Sequence, residues 1–578
     1  MLTKLFKYIR GYEKAAILAP ILVIVEVICE LIMPKLMSGI IDDGIQGDGG
    51  MRYILFAGLI MLVLAVFSMI SGVGSAKFAS EGSQGFGANL RKAMFDHVQE
   101  FSFADIDRFS SASLITRLTN DVNNIQMMVN MGLRMLVRAP VMLIFALFVC
   151  FRIHAKLTLI LICVVPLMAL AVGLLMRACH RLFQIFQEKI DGLNDTVQEN
   201  LIAIRVVKAF VRADHERSKF KKANDGLKDA GVNVAMHMIS VFPVMMIVLQ
   251  LATLAVYWFG SGFIAEGTML TGDLTAYIGY ISQVLMSVFM VSNSLRMATR
   301  AIACGERVTE VLDTEADIVD GPATELPEQK GRIEFKNVSF KYRSGTGDDV
   351  LHDISFTVEP GQFVAIMGGT GTGKSSLVNL IPRFYDVTDG AILVDGMDVR
   401  DYPVKALRER IGMVLQNNLL FSGTIRENLL WGKADATEEE MIQAARDAQA
   451  EEFILKQPDG YDTFLEQGGV NVSGGQKQRL CIARAMLRHP SILILDDSTS
   501  AVDTVTEAAI RESFHKNLKD TSVLIIAQRI SSVMSADKII IIDDDHIVAE
   551  GNHEELLKTS PIYQEIYQSQ QEGVISNG

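Results

Sequence analysis

Apolar runs near twenty residues long dominate the first 300 residues, and they constrain the fold more than any other feature. A helix rises about 1.5 Å per residue, so roughly twenty residues cross a hydrocarbon core of about 30 Å. Six such runs are predicted as membrane spans, at 15–37, 53–75, 134–152, 156–178, 238–262 and 274–296. The third and fourth are separated only by FRIHAK, which predicts a tight hairpin. Six spans place both ends of the chain on one side. Lys4, Lys7, Arg10 and Lys14 precede the first span and put the N-terminus inside by the positive-inside rule. The expected outer loops SGIIDDGIQGDGG and IAEGTMLTGD are acidic or neutral, with Arg152 and Lys156 in the short turn as the mild dissent. MLTKLFKYIRGYEK lacks a small-residue cleavage site after an apolar region, so the first run reads as a retained helix.

Two long polar stretches, 76–133 and 179–237, then face the cytoplasm. Both carry apolar residues at helical spacing among charged ones, so they read as helices that continue the spans beyond the bilayer. The hydrophobic content of 49% is only modestly above that of a soluble enzyme because the second half is of a different kind, a soluble α/β domain after about residue 330. A net charge of −13 without a basic tract argues against a nucleic-acid partner. The six cysteines show no paired metal spacing and imply no disulfide framework.

After the linker DGPATELPEQKGR, strand patterns begin at IEFKNVSFKY and lead to VAIMGGTGTGKSS. Here a β-branched strand runs into Gly368-Gly369-Thr370-Gly371-Thr372-Gly373-Lys374-Ser375, followed by a helix-like run from Ser376. This is the phosphate-binding loop in its strand–loop–helix context, where glycines let N–H groups turn inward around phosphates at a helix start. Lys374 is expected at the β/γ-phosphates of ATP and Ser375 at Mg²⁺. Further on, SILILDDSTSAVD gives a buried apolar strand ending in Asp496, the expected Mg²⁺-directing carboxylate.

Between those motifs stands Ser473-Gly474-Gly475-Gln476, in NVSGGQKQRLCIARAML, which resembles the signature of ATP-binding cassette proteins. The resemblance spans about residues 15 to 566 and is to the exporter half-transporters, multidrug type. It implies a six-span α-helical transmembrane domain (1–310), a linker (311–330) and an α/β phosphate-loop ATPase domain with a helical subdomain (331–570). It further implies that Tyr342 stacks on adenine, that Gln416 senses Mg²⁺ and nucleotide, and that the signature serves a γ-phosphate held on the opposite subunit. Asp503, in Ser500-Ala501-Val502-Asp503, matches the family's dimer-contact loop. FDHVQEFSFADIDRF and ENLIAIRVVKAFVRADHERSKF look like its intracellular loops, whose tips touch nucleotide domains.

Two positions depart from the family pattern. Glu is expected after Asp496 and a His in the switch loop; here they are Asp497 and Gln528. The missing methylene withdraws a general-base carboxylate by ~1.5 Å, and a misplacement of about 1 Å can cost ~100-fold in rate. Gln528 forms hydrogen bonds but cannot carry imidazolium charge. The combination resembles the degenerate-site subunit of a bacterial heterodimeric exporter, whose partner half-transporter supplies the Glu and His. A slowly hydrolysing homodimer and an ATP-gated regulatory subunit are the alternatives. The substrates implied are amphiphilic small molecules, or membrane lipid, moved across the cell membrane. Within the first span Glu26 and Glu30 lie one turn apart, and carboxylates at such depth face the protein interior or a wet cavity. They are expected either to contact cationic amphiphiles or to pair with an arginine of another helix.

Overall fold

Each apolar run lies within a long helix. The computed structural model describes residues 2–342, 349–497 and 502–575, so Ser500 and Ala501 of the contact loop lie outside the described residues. Among the described residues six helices are long and apolar enough to cross a membrane: Glu13–Ile45, Gly50–Gln99, Ser111–Ile153, Ala155–Ile202, Ala213–Ala265 and the one beginning at Thr271. The last runs on to Asp313. Gly50–Gln99 has 50 residues, a length of roughly 75 Å and more than twice a hydrocarbon core. The polar stretches therefore continue the spans as helix, as their spacing predicts. The hairpin in FRIHAK is reduced to one extended residue, His154, whose Nδ1 accepts from the Leu157 N–H.

The chain divides into two units, Met1–Val98 with Ser113–Thr314, and Gln99–Ala112 with Glu315–Gly578. In the first unit the helices share a core of Val23, Val27, Ala146, Leu161, Val256 and Ile281. Two buried tyrosines inside it find partners on other helices: Tyr280 donates to the Leu31 carbonyl at 2.6 Å and Tyr277 to Thr158 Oγ1 at 3.2 Å. On Gly50–Gln99, by contrast, Leu55, Phe56, Leu59, Leu62, Phe67 and Met69 are exposed. Such a row suits lipid. Among the described residues the cysteines are unpaired; Cys163 is exposed on its membrane helix and the other five are buried.

Two large sheets form the body of the second unit, beside a short antiparallel pair, Gly423–Thr424 with Phe464–Leu465. A four-stranded antiparallel sheet has the order Leu351–Val358, Ile333–Phe340, Asp389–Val394, Met397–Asp398. A six-stranded sheet has the order His546–Gly551, Lys538–Asp543, Phe363–Gly368, Ser522–Ile526, Ile492–Asp496, Ile411–Val414. All its pairings are parallel except that of His546–Gly551. Strands covered on both faces read as continuous apolar runs, which is why ILILD and SVLII are buried throughout. Helices Ile425–Leu430, Glu438–Asp447, Glu451–Leu455 and Gly474–Met486 pack together as the helical part. The segment Gln99–Ala112 belongs to this unit. Its Phe103 ring lies 4.5 Å from Phe384, and its Asp107 Oδ2 accepts from the Tyr385 hydroxyl at 2.8 Å.

Candidate nucleotide site

In an open parallel sheet the ligand crevice lies beyond the carboxyl ends of the strands. Phe363–Gly368, Ile492–Asp496 and Ser522–Ile526 are neighbours in register, so Gly368, Asp496 and the residues after Ile526 emerge together. The cavity they open has a volume of about 560 Å³. Gly368 to Lys374 forms its floor. Gly373 sits at φ 81°, in the left-handed region, where a Cβ would press within 2.7 Å of the Val350 carbonyl. Glycine takes this turn without strain where the loop enters helix Lys374–Leu380, whose first N–H groups are free of intrahelical partners and suit an anion.

Lys374 Nζ donates to the Gly368 carbonyl at 3.0 Å, to the Gly369 carbonyl, and to Thr372 Oγ1 at 3.3 Å. Thr372 in turn donates to the Gly369 carbonyl at 3.0 Å, which stiffens the loop. Burial lowers the Lys374 pKa, while Asp496 and Asp497 pull it back upward. Ser375 Oγ donates to Asp496 Oδ1 at 2.9 Å. Burial raises the Asp496 pKa, and the neighbouring charge of Asp497 adds to it. A partly desolvated pair of carboxylates beside a serine hydroxyl is a donor set suited to a hard divalent cation. Gln416 also lines this cavity. These residues fit Mg²⁺ and a nucleoside triphosphate: oxygen donors, an ammonium and a glycine-lined cradle face one space.

Asp497 follows the strand at φ 47°, a left-handed turn that aspartate tolerates better than most residues. The turn brings Asp497 Oδ2 to 2.8 Å from the Gln528 amide, which donates to it. Burial raises the Asp497 pKa; the Gln528 hydrogen bond and Lys374 oppose that. The two atypical residues are thus direct partners.

Tyr342 lines the cavity, its hydroxyl hydrogen-bonded to Ser376 Oγ at 2.8 Å and its ring meeting the Tyr385 ring edge-on at 5.2 Å. The hydroxyl tether fixes the ring beside the phosphate-loop helix. The described residues lining the cavity do not include Ser473, Gly474, Gly475, Gln476 or Asp503. Ser473 instead caps helix Gly474–Met486: its hydroxyl accepts from the Gln476 N–H at 3.3 Å, and Gln476 Oε1 accepts from the Ser473 N–H at 2.9 Å. Asp503 caps Thr504–Asn517 by accepting from the Thr506 N–H at 3.0 Å. Both motifs thus lie away from the chain's own phosphate cradle.

Sequence reasoning passed over Val350, Ile526, Ala527 and Ile566 in the cavity wall. Ile566 comes from the C-terminal helix Pro561–Ile575. The spacing of Tyr563, Ile566 and Tyr567 is the one signal that could have found it, marking an apolar face at i, i+3 and i+4.

A separate cavity of about 480 Å³ lies in the first unit, bordered by Glu26, Glu30, Arg134, Arg138, Met142 and Met286 among others. Arg138 Nη1 donates to Glu26 Oε1 at 2.5 Å, and its Nη2 to Glu30 Oε1 at 2.7 Å and Oε2 at 2.8 Å. The two carboxylates therefore share one guanidinium from another helix.

Residues 16–288 match the ABC transporter transmembrane region and residues 351–500 match the ABC transporter domain. The chain is 41% identical over 567 residues, 98% of each chain, to the Uncharacterized ABC transporter ATP-binding protein YfiB of Bacillus subtilis. It is 33% identical to the Putative multidrug export ATP-binding/permease protein YgaD of the same organism, over 98% of this chain and 99% of that one. A solved bacterial Atm1-family ABC exporter with ATP bound superposes with a TM-score of 0.80 at 25% identity, covering 97% of this chain and 98% of the other. A six-helix membrane domain, an ATP-binding-cassette ATPase domain on the same chain and full-length similarity of this order place the protein in the ATP-binding cassette family, as a multi-pass half-transporter of the exporter type.

Proposed function

We propose that this chain is the degenerate-site half of a heterodimeric exporter of amphiphilic small molecules or lipids. The observation that supports this reading most directly is the pairing of Asp497 with Gln528 at 2.8 Å. A shortened carboxylate held by a neutral amide replaces the longer base and the cationic imidazole that the family pairs here, while the phosphate cradle is complete. Nucleotide binding and hydrolysis therefore separate. Lys374 and the N–H groups of Gly369 to Gly373 hold the phosphates; Ser375, Gln416 and Asp496 hold Mg²⁺, which when bound neutralises charge on the phosphate oxygens. Ser473 to Gln476, away from that cradle, serve the nucleotide of the opposite subunit. Both termini lie in the cytoplasm, and closure of two chains around two nucleotides switches the membrane cavity from inward to outward facing.

Support for a partner comes also from the second polar stretch. At its tip Ile202, Phe210 and Val211 are 78%, 72% and 87% exposed. Apolar side chains this bare on a cytoplasmic loop suit an interface with another nucleotide domain. The test is to purify the chain alone and together with a second half-transporter that carries Glu and His at the matching positions. ATPase activity of the mixture should exceed that of the chain alone by about 100-fold, the cost of one misplaced base. Equal rates would remove the heterodimer.

One observation favours a second reading, a slow homodimer. Burial raises the Asp497 pKa, the direction that suits a general base. Hydrolysis by the chain alone as fast as by the mixture, abolished by Asp497→Asn, would establish it.

We propose in addition that Glu26 and Glu30 meet the cargo. Glu26, Glu30 and Arg138 together carry one negative charge in excess, with Arg134 elsewhere on the wall of the same cavity, which adaptable methionines edge. The double substitution Glu26→Gln/Glu30→Gln should lower vesicle transport of cationic dyes at least tenfold, about 1.4 kcal/mol, while neutral amphiphiles are moved as before. Unchanged dye transport by the folded variant would instead leave the carboxylates as structural partners of Arg138.

A further inference from the structure

The switch loop is held from outside the sheet. After strand Ser522–Ile526 the chain runs through Gln528 and Arg529 to the turn Ile530–Ser532. Gln570, on the C-terminal helix, clasps this backbone at two points. Its Nε2 donates to the Gln528 carbonyl at 2.8 Å, and its Oε1 accepts from the Ile530 N–H at 2.8 Å. A carboxamide offers one donor and one acceptor side by side. Here they match a carbonyl and an N–H two residues apart, as a neighbouring strand would.

The clasped residue is the one whose side chain reaches Asp497. A line of hydrogen bonds thus runs from Gln570 to the backbone of Gln528, through its side chain to Asp497, at the wall of the nucleotide cavity. Ile566, one helical turn before Gln570, lines the same cavity. The helix does not depend on the clasp for its own place: Tyr563 is fully buried and its hydroxyl is hydrogen-bonded to His553 Nδ1 at 2.7 Å. Gln570 is therefore free to act on the loop while the helix is anchored elsewhere.

We propose that Gln570 is a positioning residue for ATP hydrolysis at this chain's own site: it sets the backbone at Gln528, and through it the side chain that orients Asp497. The inference rests on the reading of Asp497 and Gln528 as the hydrolytic pair. It adds a regulatory handle, because any movement of the C-terminal helix would be felt at the base.

The test is phosphate release from this chain's nucleotide in the reconstituted full-length transporter, with hydrolysis at the other site blocked. Gln570→Leu removes both hydrogen bonds; kcat should fall roughly tenfold while KM for ATP stays within about twofold. Gln570→Glu keeps the acceptor for the Ile530 N–H but sets a carboxylate against the Gln528 carbonyl, so at about pH 8 it should be as slow as the leucine variant. An unchanged kcat in Gln570→Leu, a KM that rises in step with the loss, or a glutamate variant as fast as wild type at about pH 8 overturns the proposal. Asp497→Asn in the same preparation separates the two layers. If it leaves turnover unchanged, the pair is not hydrolytic and both readings fall; if it abolishes turnover while Gln570→Leu does not slow it, the positioning role alone falls.

Discussion

In the assembled transporter, Ser473→Ala is expected to remove most ATPase activity, whereas Asp497→Asn removes little. The asymmetry follows from where each group lies. Asp497 lines this chain's own cavity beside Lys374, and Ser473 to Gln476 do not. If the signature completes the partner's site, its hydroxyl and adjoining N–H groups are donors to a γ-phosphate there. Loss of one such donor costs about 100- to 1,000-fold in turnover. Ser473 also caps helix Gly474–Met486, so the alanine sacrifices a cap. That loss is ~1 kcal/mol, against domain stabilities of about 5–15 kcal/mol, and leaves the protein folded. A rate loss of the expected size therefore cannot come from unfolding, and a thermal melt of the variant checks it. On the degenerate-site reading Asp497→Asn touches only the slow site and should reduce total turnover less than about twofold. Steady-state ATPase of the two variants, side by side, decides the matter. If Asp497→Asn stops hydrolysis and Ser473→Ala is merely slower, this chain's own site is the one that turns over.

What could be read from the sequence was whatever depends on neighbours along the chain. The phosphate loop is one such case, because strand, glycines and helix are contiguous and Gly373 must turn where it stands. The spans are another, though only in part. Hydropathy marked the third at 134–152, while the helix runs Ser111–Ile153: apolar content reports contact with lipid and is blind to where a helix in water ends. Relations between distant residues were out of reach. That Arg138 bridges Glu26 and Glu30 joins positions more than a hundred residues apart; the carboxylates could be flagged, and an arginine could be foreseen as one alternative, but not which. Tyr342 was read by its place in a motif, whereas the hydroxyl tether to Ser376 and the contact with Tyr385 depend on how the two sheets meet. The C-terminal helix illustrates the limit best. Its apolar spacing says that one face is buried, and nothing local says that Ile566 reaches a nucleotide cavity or that Gln570 reaches the switch loop.

On the degenerate-site reading, replacing Lys374 by alanine should separate binding from hydrolysis in the opposite sense, by weakening the nucleotide at the slow site. The ammonium donates to two loop carbonyls and Thr372 Oγ1 and is partly desolvated, so its pKa lies below the usual lysine value. A cation in this setting gains from an approaching phosphate, because an anion restores what burial took away. A hydrogen bond to a charged group contributes about 1.5–3 kcal/mol. Its loss should weaken ATP roughly 10- to 100-fold at 1.4 kcal/mol per factor of ten. Ser375 and Asp496 keep their own hydrogen bond, at 2.9 Å, without Lys374. The residual affinity should accordingly still depend on Mg²⁺. If this chain's site binds more than it hydrolyses, as proposed above, the loss should appear first in transport, as failure of the two chains to close, with the basal ATPase of the other site falling less. Labelled ATP binding to the assembled transporter, with the other site blocked, measures the effect directly. Equal binding by wild type and Lys374→Ala would mean that the phosphates do not rest on this loop, and the assignment of Gly368 to Ser376 as the nucleotide cradle would fall with it.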